Sequence, residues 1–290
     1  MSEFLEYSLL GLLSGGVMAL ISLSFVLIYK GTGVINLAVG EVMMLGAYFY
    51  YAGVVTFGMN PWLTFVLSLV LIALTAIVIE WTVLRPLSGQ SPVAVLMATI
   101  GIASIIHGGV EAVWGGETYN PPGLLPRTPL VIGEILIPGA VLGNFAIAFA
   151  LILAFLAFFR YSRTGVVLRA TASDPVTAAS LGINIHHAQR LTWALSGVVG
   201  TVAGVLMASA SGLSPLLSGM ALGVLAAIVL GGLDSVGGAI LASLMVGLIE
   251  ALAAGYWGGK TRDIVPYVVV LAVLVVKPYG LLGTRSIERL

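Results

Sequence analysis

Few side chains in this sequence could carry chemistry, and most of them stand among long apolar runs. Asn36 and Glu41 lie in the segment Gly31-Thr-Gly-Val-Ile-Asn-Leu-Ala-Val-Gly-Glu41, whose early glycines interrupt any helix that precedes them. An ionisable group inside an apolar span is costly and normally faces a cavity or a partner, and interrupted helices are a common device for building solute sites in a membrane. Asn36, Gly40 and Glu41, together with Thr99, are therefore candidates to line a path. The same residues also fit a plain turn at the membrane edge marked by Lys30, with Asn36 capping the next helix and Glu41 in its first turns.

Other polar residues read more simply. Ser104 precedes His107 by three residues, the spacing of a nucleophile and base on one helical face, but no third group to orient the imidazole is evident. A polar side chain packed between helices is the better reading of His107. His186 and His187 are adjacent, so a helix cannot aim both at one metal, and the chain has no cysteine. No metal site and no catalytic residue is assigned. Glu80, Glu111 and Glu250 fall near the ends of apolar runs, where a carboxylate reaches the interface cheaply. There is no G-x-x-x-x-G-K-[ST] loop, so the chain does not hydrolyse ATP by that route, and no basic tract suggests nucleic acid.

Ser173-Asp174-Pro175 is a strong helix start. Asp174 can accept backbone N–H bonds as cap, and Pro175 suits the first helical position. The chain from Val176 onward can form about two turns before Gly182 ends them. A short helix is thus expected inside the most polar part of the chain, residues 160–190. The small residues Ala178, Ala179 and Ser180 would let it dock closely against a partner. The segment Leu230-Gly-Gly-Leu-Asp-Ser-Val-Gly-Gly-Ala239 needs only to be a tight turn between helices.

The elements that must position these residues follow from composition. Of 290 residues, 59% are hydrophobic and 8% charged, with mean hydropathy +1.12. A water-soluble domain of this size cannot hide so many apolar side chains, so much of the surface faces lipid. The apolar runs are long and unbroken rather than alternating, which predicts an all-α bundle of membrane-spanning helices rather than a barrel. They cover residues 7–29, 42–57, 62–79, 92–113, 135–159, 191–233, 235–254 and 264–276. Ser214-Pro215 divides the run 191–233, giving eight or nine membrane segments, some of them broken, in a single domain spanning residues 1–290. Residues 115–127 read as a loop. No Lys or Arg precedes the first run, so it reads as a permanent span rather than a cleaved signal.

Placing the N-terminus outside puts Lys30, Arg85, Arg160, Arg163, Arg169, Arg190, Lys277, Arg285 and Arg289, nine of the twelve Lys and Arg residues, in the cytoplasm with the C-terminus. Arg127, Lys260 and Arg262 then lie outside. This alternation requires residues 217–254 to form two segments turning at Asp234. Small-xxx-small pairs recur at Gly11 and Gly15, Gly139 and Gly143, Gly200 and Gly204, and Gly219 and Gly223, and they read as helix-packing contacts.

Several stretches together resemble LivH-type permeases, the membrane subunits of branched-chain amino acid ABC importers. They are Gly33-Val-Ile-Asn-Leu-Ala-Val-Gly-Glu41, Leu84-Arg-Pro-Leu87, Gly165 with Arg169-Ala170 through Asp174, Ala178-Ala179, Gly182-Ile-Asn184, Leu230 to Ala239, and Lys277-Pro-Tyr-Gly-Leu-Leu-Gly283. Leu37 and Val39 stand where the family often has Phe and His, and Asp234 where Gly is usual. The resemblance implies a second homologous permease, two ATPase subunits that carry the ATP and Mg, and an extracytoplasmic solute-binding protein. It implies no cofactor on this chain and a location in the cytoplasmic (inner) membrane. It further implies that Arg169, Asp174, Ala178, Ala179 and Gly182 belong to the helix that couples to the ATPase. Relatives carry hydrophobic amino acids, amides, urea or aromatic acids. An uncharged, mostly apolar path would suit a small hydrophobic, branched-chain or aromatic amino acid or a related solute. The competing reading is a secondary transporter driven by an ion gradient, for which Glu41 is the one intramembrane carboxylate in view.

Overall fold

The computed structural model describes residues 2–125, 128–132, 135–261, 264–277 and 280–283. Arg127, Arg262, Arg285, Arg289 and the Pro278-Tyr279 pair lie outside the described residues.

The elements in chain order are α1 (Ser2–Thr32), α2 (Val39–Tyr51), α3 (Pro61–Ile79), α4 (Pro92–Trp114), β1 (Leu130–Ile132), β2 (Ile135–Ile137), α5 (Gly139–Tyr161), α6 (Arg163–Ser173), α7 (Pro175–Ser180), α8 (Ile185–Ser211), α9 (Leu217–Gly223), α10 (Leu225–Gly231), α11 (Val236–Trp257) and α12 (Val265–Val276). Two of them continue as wider π turns, α2 through Ala52–Thr56 and α3 through Glu80–Leu84. Among the described residues, six helices are long and apolar enough to cross a membrane: α1, α3 with its π turn, α4, α5, α8 and α11. The other apolar helices, α2, α9, α10 and α12, are shorter.

Local chemistry explains most of the boundaries. Pro61 and Pro92 occupy first helical positions, behind Asn60 and Ser91, whose side chains accept N–H bonds from Trp62 and Ala94. The division at Ser214-Pro215 holds, since α8 ends at Ser211 and α9 begins at Leu217. Residues 217–254 do form two parts, α9 with α10 and then α11, turning at Leu233 and Asp234.

Three expectations change. The fifth run does not begin at residue 135, because Ile135–Ile137 pairs antiparallel with Leu130–Ile132 and the helix starts only after Pro138. Proline biases the residue before it away from helix, and the β-branched residues on either side favour a strand. The all-α expectation therefore holds apart from this small hairpin. The polar stretch holds a second helix, α6, started by Ser162, whose hydroxyl accepts from Gly165 N–H at 2.9 Å. Helix α8 begins at Ile185, inside the polar stretch rather than at Leu191, because the Asn184 side chain caps it by accepting from His187 N–H at 3.1 Å.

Helices α1 and α8 form the centre and are mostly buried, whereas α3, α4 and α5 expose most of their apolar surface. Trp62, Leu63, Val66, Val70 and Leu74 on α3 are exposed, as a lipid-facing stripe requires. Close crossings depend on glycine. A Cβ on Gly247 of α11 would lie 2.6 Å from the Gly15 Cα of α1, and one on Gly204 of α8 would lie 2.6 Å from the Met43 carbonyl oxygen. Gly219 has no such neighbour and Gly223 only the Tyr267 hydroxyl at 3.9 Å, so this fourth pair is not a crossing within the chain. Polar pins reinforce the crossings: the Ser22 and Ser243 hydroxyls meet at 2.7 Å, and Asn144 Nδ2 donates to the Leu206 carbonyl at 2.8 Å.

Candidate functional site

The interrupted helix is the first feature of the site. Helix α1 ends beside Gly33, whose φ of +71° is left-handed and suits glycine. Asn36 is only 3% exposed, and its Oδ1 accepts from Ala38 N–H at 2.9 Å. Asn36 thus turns the chain just ahead of α2, although the cap position itself is Ala38. The Leu37 N–H donates to Thr99 Oγ1 at 3.3 Å, and Gly31 abuts Thr192. Thr99 and Thr192 each lie seven residues from the start of α4 and α8, or about 10 Å along each axis. The break thus runs from the exposed Gly33, beside the charged α7 end, to the buried Asn36, which packs inside the bundle.

A cavity of about 190 Å³ opens beside this break, between the end of α1, the π turn of α3, the turn at Leu87–Gln90, α4 and α8. Asn36 and Thr99 line it, as do Gln90, Gln189 and Trp193, which sequence reasoning did not single out. Glu80 lines it too, and here an expectation fails. Glu80 does not reach the interface: it is 1% exposed, and its Oε2 lies 3.4 Å from Arg190 Nε. It opens the π turn, an irregularity that recurs at functional sites, but hydropathy carries no sign of such a turn. Among the described residues, Glu80 Oε1 and Asn36 Nδ2 are buried and have no hydrogen-bond partner.

The other candidates disperse. A Cβ on Gly40 would collide with the Ser218 carbonyl, so Gly40 seats α2 against α9 rather than lining the cavity. Glu41 lies apart from the cavity in a chain of three ionisable groups. Its Oε2 is 3.3 Å from His107 Nδ1, and His107 Nε2 is 3.5 Å from Glu111 Oε1. His107 therefore packs against carboxylates, and Ser104, whose hydroxyl donates to the Ile100 carbonyl, is not its partner. With side-chain exposures of 15%, 36% and 52% from Glu41 to Glu111, this chain of groups runs outward from the bundle along α4.

Helix α7 forms as its local sequence predicts. Asp174 Oδ1 accepts from Val176 and Thr177 N–H at 3.0 Å, and its other oxygen accepts from the Thr177 hydroxyl. These bonds hold the exposed Asp174 carboxyl below its usual range, the Thr177 hydroxyl contributing most. Gly182, at φ +84°, closes the helix by donating to the Ala179 carbonyl at 2.9 Å. Ala179 is exposed, whereas Ala178 is 2% exposed and faces the chain itself. Val176 and Leu181 are the prominent outward apolar residues, at 77% and 78% exposure. Arg169 lines a second, open cavity with Lys30, Pro175, Gln189 and Asp234, so the end of α1, the start of α8 and the α10–α11 turn all lie beside α7.

Comparison with known proteins agrees with this architecture. The family described as the permease component of the branched-chain amino acid transport system matches residues 7–274. The high-affinity branched-chain amino acid permease protein LivH of Escherichia coli is 31% identical over 303 aligned positions, covering 99% of this chain and 97% of the relative. The corresponding BraD protein of Pseudomonas aeruginosa is 30% identical, covering 99% and 98%. A solved structure, PsaBC from Streptococcus pneumoniae in complex with Fab, shares the fold with a TM-score of 0.52 at 15% identity, over 95% of this chain and 92% of that one. With its apolar helices and a family match that runs from α1 into α12, the chain belongs to the permease family of branched-chain amino acid transport systems, and it is an integral membrane protein.

Proposed function

We propose that the chain is the solute-translocating permease subunit of an ATP-driven ABC importer. The observation that carries this reading is the family match over nearly the whole chain. In this reading nine segments cross or enter the membrane alternately: α1 to α5, α8, α9 with α10, α11 and α12. The N-terminus is outside, and α7 and the C-terminus are in the cytoplasm. The gathering of Lys30, Arg160, Arg169 and Arg190 around the α7 end supports that orientation. The membrane is the cytoplasmic one.

A second homologous permease, two ATPase subunits holding ATP and Mg, and an extracytoplasmic binding protein complete the machine. Helix α7 is the coupling element, presenting Val176, Ala179 and Leu181 to an ATPase cleft. Asn36, Glu41 and Thr99 border the path. The relatives' names support a hydrophobic or branched-chain amino acid as the solute. In this reading the expected apolar lining is joined by polar groups, since Glu80 and Asn36 border the cavity beside the break and Glu41 faces His107 on α4.

The test is reconstitution of the complex in liposomes with a binding protein. Leucine uptake should require ATP on the α7 side and persist when ionophores collapse the ion gradients. Uptake that needs no ATP, or that stops with the gradients, would instead support the secondary transporter.

A further inference from the structure

Another cavity, of about 510 Å³, opens between the ends of α1 and α5, helix α6 and the start of α11. Lys30, Arg160 and Arg169 line it together. Among the described residues no carboxylate lines it, and none of the three cations takes part in an ion pair. Asp234 borders the adjoining cavity beside Pro175 instead. The Arg160 guanidinium lies 5.7 Å from the Tyr161 ring centroid, a contact that leaves its charge uncompensated. Like charges gathered in one place repel, and the complement they call for is an anion. Arg160 and Arg169 are exposed and Lys30 is half-buried, so the site is open to an occupant.

The rest of the wall identifies the kind of anion. Leu27, Leu156, Phe159, Leu168 and Val236 supply apolar surface, and the buried Thr192 hydroxyl is already used, donating to the Ala188 carbonyl at 2.9 Å. A small soluble anion gains nothing from such walls, whereas an acyl chain does. The apolar surface also continues outward. Phe149, Leu153 and Leu156, at spacings of four and three residues, are 51%, 50% and 39% exposed and form one stripe along α5 to the cavity. Helix α5 is long and apolar enough to cross a membrane and ends at Tyr161, so Arg160 and Tyr161 stand where headgroups meet hydrocarbon. Basic pockets between membrane helices at that level suit acidic headgroups.

We propose that this cavity binds an anionic phospholipid, its phosphate among Lys30, Arg160 and Arg169 and an acyl chain along the Leu156 face of α5. In the orientation given above the lipid belongs to the cytoplasmic leaflet, while the site itself does not depend on the importer reading. Lys30, Arg169 and Ala172 border both this cavity and the one beside Pro175, so a lipid held here steadies α6 next to α7.

The test uses the full-length chain, purified in a neutral detergent and stripped of lipid. Its melting temperature is followed while dioleoylphosphatidylglycerol, dioleoylphosphatidylcholine or inorganic phosphate is added. Phosphatidylglycerol should raise it saturably. Phosphatidylcholine, with the same chains and phosphate but a cation in its headgroup, should not, and neither should inorganic phosphate. Arg160→Gln and Arg169→Gln should each raise the half-saturating concentration of phosphatidylglycerol about fivefold, and Arg169→Lys should restore most of that loss. Ala172→Glu sets a carboxylate among the cations and should abolish the response. Lys260→Gln, which changes a cation beyond the opposite end of α11, should leave it unaltered. Equal responses to the two lipids, or glutamine variants that keep the original half-saturation, overturn the proposal. A phosphate response equal to that of the lipid overturns it in favour of a soluble anion. Absence of any saturable response to phosphatidylglycerol overturns it as well. If Arg169→Gln then loses a co-purifying ATPase subunit, the cations face an acidic protein surface instead.

Discussion

Glu80 Oε2 and Arg190 Nε meet at 3.4 Å, tying the π turn at the end of α3 to the start of α8. The carboxylate is almost wholly buried, while the Arg190 side chain is 34% exposed. Removing Arg190 strands a buried charge, which costs about 3 kcal/mol, whereas neutralising both partners costs much less. Arg190→Met alone should therefore lower the melting temperature of the detergent-purified protein more than the double change Glu80→Gln with Arg190→Met does. A loss in the double change equal to the sum of the losses in Arg190→Met and Glu80→Gln alone would show that the pair carries no coupling.

The two alanines of α7 should part ways. Ala179 is exposed, so Ala179→Glu should leave the protein inserted and stable but abolish solute-stimulated ATP hydrolysis in the reconstituted complex. Ala178 faces its own chain, so Ala178→Glu forces a charge into a buried position and should lower yield and thermal stability before any assay of coupling. Normal stimulated hydrolysis by Ala179→Glu would remove α7 from the coupling role.

The Asp174 cap makes α7 acid-sensitive in a defined direction. Its carboxyl lies below the usual range in the folded state, so its contribution is fully present above the unfolded value and is lost as pH falls through the lower folded value. Protection of the Val176 and Thr177 amides, measured by hydrogen exchange, should be constant from about pH 7 to about pH 5 once the intrinsic rate is corrected for. Below that range it should fall, and in Asp174→Ala it should be low throughout.

Glycines that look alike in sequence should differ in tolerance. Gly247→Val drives a side chain into the α1 backbone and should cost about 1–3 kcal/mol, read as a lower melting temperature. Gly219→Ala meets nothing within 4 Å and should leave melting of the isolated chain unchanged.

Topology can be read directly, because the chain has no cysteine. A cysteine placed at Gly116 should react with an impermeant reagent from outside intact cells, and one at Ser173 only after permeabilisation. Labelling of the Ser173 position in intact cells would invert the orientation.

The features legible from sequence were those set by composition or by neighbours a few residues apart. Lipid exposure follows from the apolar runs. The Asp174 cap acts on residues two and three positions away, and Gly182 closes α7 three positions past Ala179. The turn at Asp234 was also foreseen. The break at Gly33 was visible as well, but the burial of Asn36 beyond it was not, because that depends on the approach of other helices such as α4, whose Thr99 accepts from Leu37 N–H. The tertiary structure alone decided which polar groups meet. Glu41 finds His107 at a separation of 66 residues, and Glu80 finds Arg190 at 110. That Gly40, a candidate for the path, packs against the Ser218 carbonyl could not be read locally, because Ser218 belongs to another helix. The hairpin at Leu130–Ile137 escaped notice because hydropathy does not distinguish a short strand from the first turn of a helix. A carboxylate near the end of an apolar run reaches the headgroups cheaply, and turning inward costs desolvation unless a cation meets it there. For Glu80 the choice fell inward because folding brings the Arg190 guanidinium to the same place.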